Sequence, residues 1–245
     1  HSHALPLHIH AAESAEQGAR SQHQYVRSPI AHLDDCGLFA DAAQRPCVVA
    51  HALCLSDADV AILAARRVRV AHGPVTYMKL AMPMAGGGAA RLLAAGVDVA
   101  LGTDGPGSNN DMDMKAVVRC APLLQKYHAR DAQALAGDLP LRMATQAGAR
   151  ALGFAQSGVL SVGRPADLIL IDLDQPHLYP RHDLVANLVH AARGGDVTHV
   201  FVDGRMLMRK RQIMTLDVEK IQAEADARAG RMVRQNLHLL RQYAG

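Results

Sequence analysis

Four residues that could bind a metal ion or move a proton recur at matching points in the first half of the chain: His10, His51, His72 and Asp104. Each closes or closely follows a short apolar run: Leu5–His10, Cys47–His51, Val68–His72, and Val97–Leu101 ahead of Asp104. Imidazole nitrogens and carboxylate oxygens are good donors to Zn2+ or Fe2+. One histidine at a strand end is most often a hydrogen-bonded or surface residue. Four successive strand ends carrying such groups point to one shared site, because parallel α/β folds, and βα barrels above all, build active sites at that edge.

Glu13 follows His10 in the run His10-Ala11-Ala12-Glu13. A carboxylate placed there can carry protons between a water and a substrate. The plainer alternative is an acid in the first turn of a helix, favoured by the helix dipole. Asp104 opens a loop rich in Gly, Pro and Asn, where Ser108 and Asn109 are assigned the capping role so that Asp104 stays free for a metal or a proton. His72 precedes Gly73-Pro74, and the proline stops its strand. His8 is assigned to the strand face opposite His10 and to packing. His1 and His3 read as ordinary terminal residues.

The elements that must position these groups follow from periodicity. Strands at 5–10, 47–51, 68–72 and 97–101 alternate with helical stretches near 15–26, 30–39 and 57–66, with later helices near 113–126 and 139–152. Ser56 reads as the N-cap of the 57–66 helix, whose apolar face holds Val60, Leu63 and Ala64. Parallel βα units are the expected arrangement. After Gly153 the style changes: a strand at 166–173, a hairpin at 197–208 turning on Asp203-Gly204, and a closing helix from about Asp217 through Ile221, Ala225, Ala229, Met232, Leu237 and Leu240. The phosphate-cradling patterns GxGxxG and GxxxxGK[ST] are absent.

The chain has 245 residues, 49% of them hydrophobic and 20% charged, so it is globular rather than disordered. Aromatic residues are only 3%, with no Trp, which leaves a core of small and branched side chains. The net charge of +3, from 26 basic and 23 acidic residues without a basic block, argues against nucleic acid and anionic membrane as partners. No apolar run approaches the roughly 18 residues of a membrane helix. The four cysteines, Cys36, Cys47, Cys54 and Cys120, form no CxxC pair, so reduced thiols in a cytoplasmic protein are expected.

Seven stretches, in order, carry a family resemblance: LPLHIHAAE, VVAHALCLSD, VAHGPVTYMKLA, GVDVALGTDGPGSNNDMDM, LRMATQAGARALG, GRPADLILIDLDQPHLYP and VFVDGRMLM. The chain resembles the amidohydrolase superfamily, in the branch of methylthioadenosine/S-adenosylhomocysteine deaminases and chlorohydrolase-like enzymes. The resemblance implies an α/β fold: strands 5–8 of a metal-dependent hydrolase (β/α)8 barrel over residues 1–155, part of a small β-sandwich over 156–215, and a C-terminal helix over 216–245. It implies one divalent metal ion, Zn2+ in preference to Fe2+, with His10 and Asp104 as ligands on this chain. Catalytic roles fall on Glu13, His51 and Asp104, and substrate contacts on Glu13, His51 and His72.

Two departures accompany the resemblance. The family's H-N-P-x-S-N-x-K-L is here His72-Gly73-Pro74-Val75-Thr76-Tyr77-Met78-Lys79-Leu80, with Gly for Asn and Thr-Tyr for Ser-Asn. The family's first-strand HxH pair has no counterpart, so the chain is expected to be the C-terminal part of a protein nearly twice as long. Two ligands alone would hold zinc poorly. The expected activity is hydrolytic deamination of an aminated purine nucleoside or related heterocycle, a small-molecule substrate, by a homo-oligomer. Displacement of another group, such as chloride from a triazine, and an inactive fragment are the alternatives.

Overall fold

Four short parallel strands carry the first half of the molecule in this computed structural model, which describes residues 5–237. His1, His3 and the expected helical position Leu240 lie outside the described residues. The strands are β1 (Leu7–Ala11), β2 (Cys47–His51), β3 (Arg69–His72) and β4 (Val99–Leu101). They pair in sequence order, with Leu7 beside Cys47, Val48 beside Arg69 and Val70 beside Val99. Strand β2 is buried along its whole length, as a near-continuous apolar run between covered faces should be. The sheet is open, since β1 and β4 each pair on one side only.

Of the seven helices that follow or separate the strands, all but the first and the sixth put residues into the core on the face that carries Ile9, Val49, Val70 and Val99. The seven are α1 (Ala15–Tyr25), α2 (Pro29–Asp35), α3 (Asp57–Arg66), α4 (Pro74–Lys79), α5 (Ala89–Ala94), α6 (Pro106–Asn109) and α7 (Met114–Ala129). Four of the starts are set by side chains: Ser14, Ser28, Ser56 and Asp113 each accept a backbone N–H of the first turn, whereas α4, α5 and α6 start at glycines. The core between sheet and helices holds Ile30, Phe39, Leu63, Leu92, Val117 and Met143. The periodic reading finds α3 to the residue. It misses α4 and α6, each opened by a proline that the sequence reading takes only as a strand stop or a loop residue.

The expected 139–152 helix is a composite. The segments α8 (Leu139–Arg142) and α9 (Gly148–Ala151) are joined by a π turn at Met143–Ala147. Ala147 and Ala151 pack on Val48, Ala71 and Ala100, the inner face of the sheet. Arg150 grips Asp98 through two bonds of 2.8 Å, and Gly153 lies against Pro46. This segment therefore covers the inner face near the strand starts and leaves the strand ends open.

The remainder is a separate antiparallel sheet in the order β5 (Leu168–Ile171), β6 (Val197–Val202), β7 (Arg205–Arg209) and β8 (Gln212–Ile213). Asp203 and Gly204 take φ values of 48° and 75°, the left-handed pair of a type I′ hairpin turn. A short helix, α10 (Leu184–Ala186), precedes β6, and α11 (Val218–Gln235) begins at its N-cap Asp217 with no buried residue. Asp113 and Lys115 tie α7 to the segment before β6: Asp113 accepts the Gly194 N–H, and Lys115 donates to the Leu188 carbonyl. No helix among the described residues is long and apolar enough to cross a membrane.

Asp59 gives a test of the helical layer. Its carboxylate is 3% exposed and accepts from the Ser28 hydroxyl, the Ser56 hydroxyl and the Ser56 N–H, joining α2 to the capping box of α3. Asp59→Ala leaves those donors unpaired. Urea unfolding should show a loss of about 1–3 kcal/mol with an unchanged m value. A loss within error of zero would mean that water satisfies the serines.

Candidate metal centre

The three donor-bearing residues His10, His51 and Asp104 reach the strand ends by different backbone routes. His10 stands on the inner face of β1, because alternate residues of a strand share a face. His51 ends β2 with φ at +74°, followed by Ala52 at +50°. This left-handed backbone breaks the strand alternation and brings its ring to 5.0 Å from that of His10, centroid to centroid. Asp104 lies three residues past β4, also left-handed at φ +60°. Non-glycine residues rarely adopt such angles, and clusters of them mark functional sites.

One ligand atom from each of His10, His51 and Asp104 lies within 4.8 Å of the others. They border a cavity of about 250 Å³ together with His8, Ala50, Ala71, His72, Gly73 and Gly102. The set of two imidazoles and a carboxylate suits a divalent ion such as zinc. His51 Nδ1 is buried without a hydrogen-bond partner, as a nitrogen kept for a ligand would be.

Electrostatics keep the donors in usable forms. Burial lowers the pKa of His51, against the attraction of Glu13 and Asp104, so its imidazole is neutral near pH 7. Burial opposes ionisation of Asp104, but hydrogen bonds from the Ser108 hydroxyl and the Gly105 N–H, with His51 nearby, hold its pKa below the ordinary value. The Ser108 bond to Asp104 is 2.7 Å long. Ser108 therefore holds the carboxylate rather than capping a helix; α6 has Gly105 at its N-cap and α7 has Asp113.

Glu13 precedes Ser14, the N-cap of α1, so it is not a first-turn residue; Glu16 is. Its N–H donates to Gln17 Oε1 at 3.0 Å, and its negative charge acts on His51 and Tyr77, favouring the protonated form of each. His8 corrects the sequence reading. Residues two apart in a strand share a face, and His8 is exposed on the wall of the cavity, 6.0 Å from the His10 ring and nearly parallel to it.

His72 is 0% exposed, on the same strand face as Val70, and neither ring nitrogen has a partner. It nevertheless forms part of the wall of the donor cavity. Tyr77 escaped the sequence reading as a site residue, although its replacement of the family's Asn was the available signal. Its hydroxyl accepts the Gly73 N–H at 2.8 Å, and its ring meets His72 and His51 edge-on at 5.0 and 5.8 Å.

With this geometry in place, comparisons with known proteins agree on one family. The pattern of the Amidohydrolase family matches residues 1–207. The 5-methylthioadenosine/S-adenosylhomocysteine deaminase of Pelotomaculum thermopropionicum is 45% identical over 227 residues, 93% of this chain and 51% of that protein. The enzyme of the same name from Moorella thermoacetica is 44% identical, covering 91% and 51%. The crystal structure of an adenosine deaminase from Xanthomonas campestris with bound zinc superposes with a TM-score of 0.87 at 37% identity, over 93% of this chain and 51% of that one. An atrazine chlorohydrolase from Arthrobacter aurescens, complexed with zinc, gives 0.77 at 27% identity, over 91% and 48%. The chain spans about half the length of the curated relatives it matches.

The buried imidazoles make stability depend on pH. Burial brings the pKa of His72 down to about 3 from its ordinary 6.5, with His51 adding to the effect. The unfolded chain takes up a proton below pH 6.5 that the folded chain refuses until about pH 3. Stability is therefore whole above pH 6.5 and falls as the pH drops toward 3, by up to about 1.4 kcal/mol per pH unit for this one group. Urea midpoints between about pH 7 and pH 4 should show this slope, and His72→Leu should flatten it by about one proton. An unchanged slope in that variant would place the acid sensitivity elsewhere.

Proposed function

We propose, from the premise that this chain belongs to the amidohydrolase family, that it forms the metal-binding and proton-shuttling part of a hydrolytic deaminase. The observation that carries this reading is the meeting of His10, His51 and Asp104 donor atoms within 4.8 Å, with Glu13 acting on the same imidazole. The four parallel strands are read as strands 5–8 of a (β/α)8 barrel over residues 1–155. The antiparallel sheet is read as a share of a β-sandwich over 156–215, followed by the C-terminal helix. The open edges of the parallel sheet then accept the rest of the enzyme, which we take to be a homo-oligomer acting on a small molecule.

His10 and Asp104 would hold a divalent ion, Zn2+ by preference, and the ion would supply the Lewis acidity that lowers the pKa of a water. The chain's own groups do the rest. Asp104, kept ionised, accepts a proton from the attacking water and orients it. His51, kept neutral, offers its ring nitrogen to water and substrate. Glu13 carries a proton to the departing amine, which leaves readily only when protonated. The substrate class is a 6-aminopurine nucleoside or related aminated heterocycle, and ammonia is released. The likeness to an atrazine chlorohydrolase and the altered loop at Gly73, Thr76 and Tyr77 support a second reading, in which chloride or another group departs.

Glu13→Gln keeps the shape of the side chain and removes the titrating group. In the whole enzyme, turnover should fall by roughly 10²–10⁴-fold with metal content unchanged. Ammonia release from adenosine derivatives, guanine-type bases and aminotriazines is the assay. Release of chloride from a chlorotriazine, with no ammonia from any of these, would replace the first reading with the second.

A further inference from the structure

Tyr77 is the largest fully buried side chain of the molecule's described residues, at 2% exposure, yet it stands beside the donor cluster instead of in the main core. Helix α4 presents it at its third turn-forming position after Pro74, so that its phenol oxygen turns back onto Gly73 and accepts that residue's N–H at 2.8 Å. Gly73 in turn lies against Gly102 and Asp104: a β-carbon added there would stand 3.6 Å from the Gly102 carbonyl oxygen and 3.8 Å from the Asp104 β-carbon. The Tyr77 ring fills the space between two imidazoles, edge-on to His72 at 5.0 Å and to His51 at 5.8 Å. His72 has no hydrogen-bond partner at either nitrogen, and His51 none at Nδ1. A histidine ring is ordinarily oriented by a hydrogen bond to its second nitrogen. Within the described residues, the Tyr77 ring edge takes that place.

We propose that Tyr77 is a positioning residue for the His10–His51–Asp104 cluster. Its hydroxyl fixes the Gly73 backbone beside Asp104, and its ring edge holds the His51 imidazole in the orientation that reaches the other donors. The proposal rests on the metal-site reading above for its purpose, but not for its first test, which needs no metal.

That test follows the ring signals of His51 by heteronuclear NMR in the metal-free chain, comparing the native protein with Tyr77→Leu, Tyr77→Phe and Leu92→Ala. Leu92 is buried in the helical layer and serves as a control for simple loss of packing. The His51 ring signals should move or broaden in Tyr77→Leu, stay near native in Tyr77→Phe, which keeps the ring, and stay native in Leu92→Ala. Unmoved His51 signals in a folded Tyr77→Leu, or equal movement in Leu92→Ala, would overturn the proposal. Should Tyr77→Leu fail to fold, the native chain decides: a through-space contact between Tyr77 ring protons and the His51 ring supports the proposal, and its absence overturns it.

The second measurement is Co2+ titration followed by visible absorption. Tyr77→Leu should bind Co2+ roughly 10–100-fold more weakly than the native chain, with a shifted band, because the Tyr77 hydroxyl fixes Gly73 beside the ligand Asp104 and loss of a ligand's outer support commonly costs that much. Equal affinity and an equal band would overturn the positioning role. Where the native chain, with only two of the ligands, binds no Co2+, the His51 ring signals decide for or against Tyr77.

Discussion

The parallel register of β1 to β4 is the constraint on which the site depends. Ala11 is held beside His51 and His72 beside Leu101, so the strand ends arrive together at one edge of the sheet. Alternation alone would send His51 to the helical side with Val49. The left-handed backbone at His51, and again at Asp104, overrides that alternation and turns both residues toward His10. Such angles cost of order 1–3 kcal/mol each for non-glycine residues. They persist because the surrounding sheet and helices leave the chain no other course.

Burial and charge then settle which forms the side chains take. Desolvation disfavours the charged imidazole of His51 and overcomes the pull of Glu13 and Asp104. The same desolvation acts on Asp104, but there directed hydrogen bonds from Ser108 and Gly105 win. The outcome is a neutral imidazole at His51 next to an ionised carboxylate at Asp104, so one offers a ring lone pair and the other a charged oxygen to the cavity. Supports outside the cluster maintain it: Lys79 of α4 donates to the Gly107 carbonyl and to Asn110, bracing the loop that carries Asp104.

The two sheets differ in what they bury. The parallel sheet is covered by helices on one face and, near the strand starts, by Ala147 and Ala151 on the other. The antiparallel sheet keeps Ile169, Leu170, Val202 and Ile213 exposed, and α11 buries none of its residues.

Much of this was legible in the residues. Apolar runs ending in His or Asp located the strands, Ser56 located a helix start, and Asp203-Gly204 located a hairpin, because these signals act over a few residues. The short helices α4 and α6 were hidden behind prolines that read equally well as stops. His8 was misplaced by a strand-parity error that the period of two corrects. Other features had no local signal. His72 and His51 end similar strands and line one cavity, yet His72 is fully buried against Tyr77 while His51 turns on a left-handed backbone. Ser108 reads as a cap until the fold places its hydroxyl on Asp104. The sequence by itself determined which groups could do chemistry and which elements would carry them, since composition and spacing act through nearest neighbours. Tertiary structure alone decided which of those groups face one another, since burial, backbone handedness at strand ends and the contacts of Tyr77 arise only when distant segments pack.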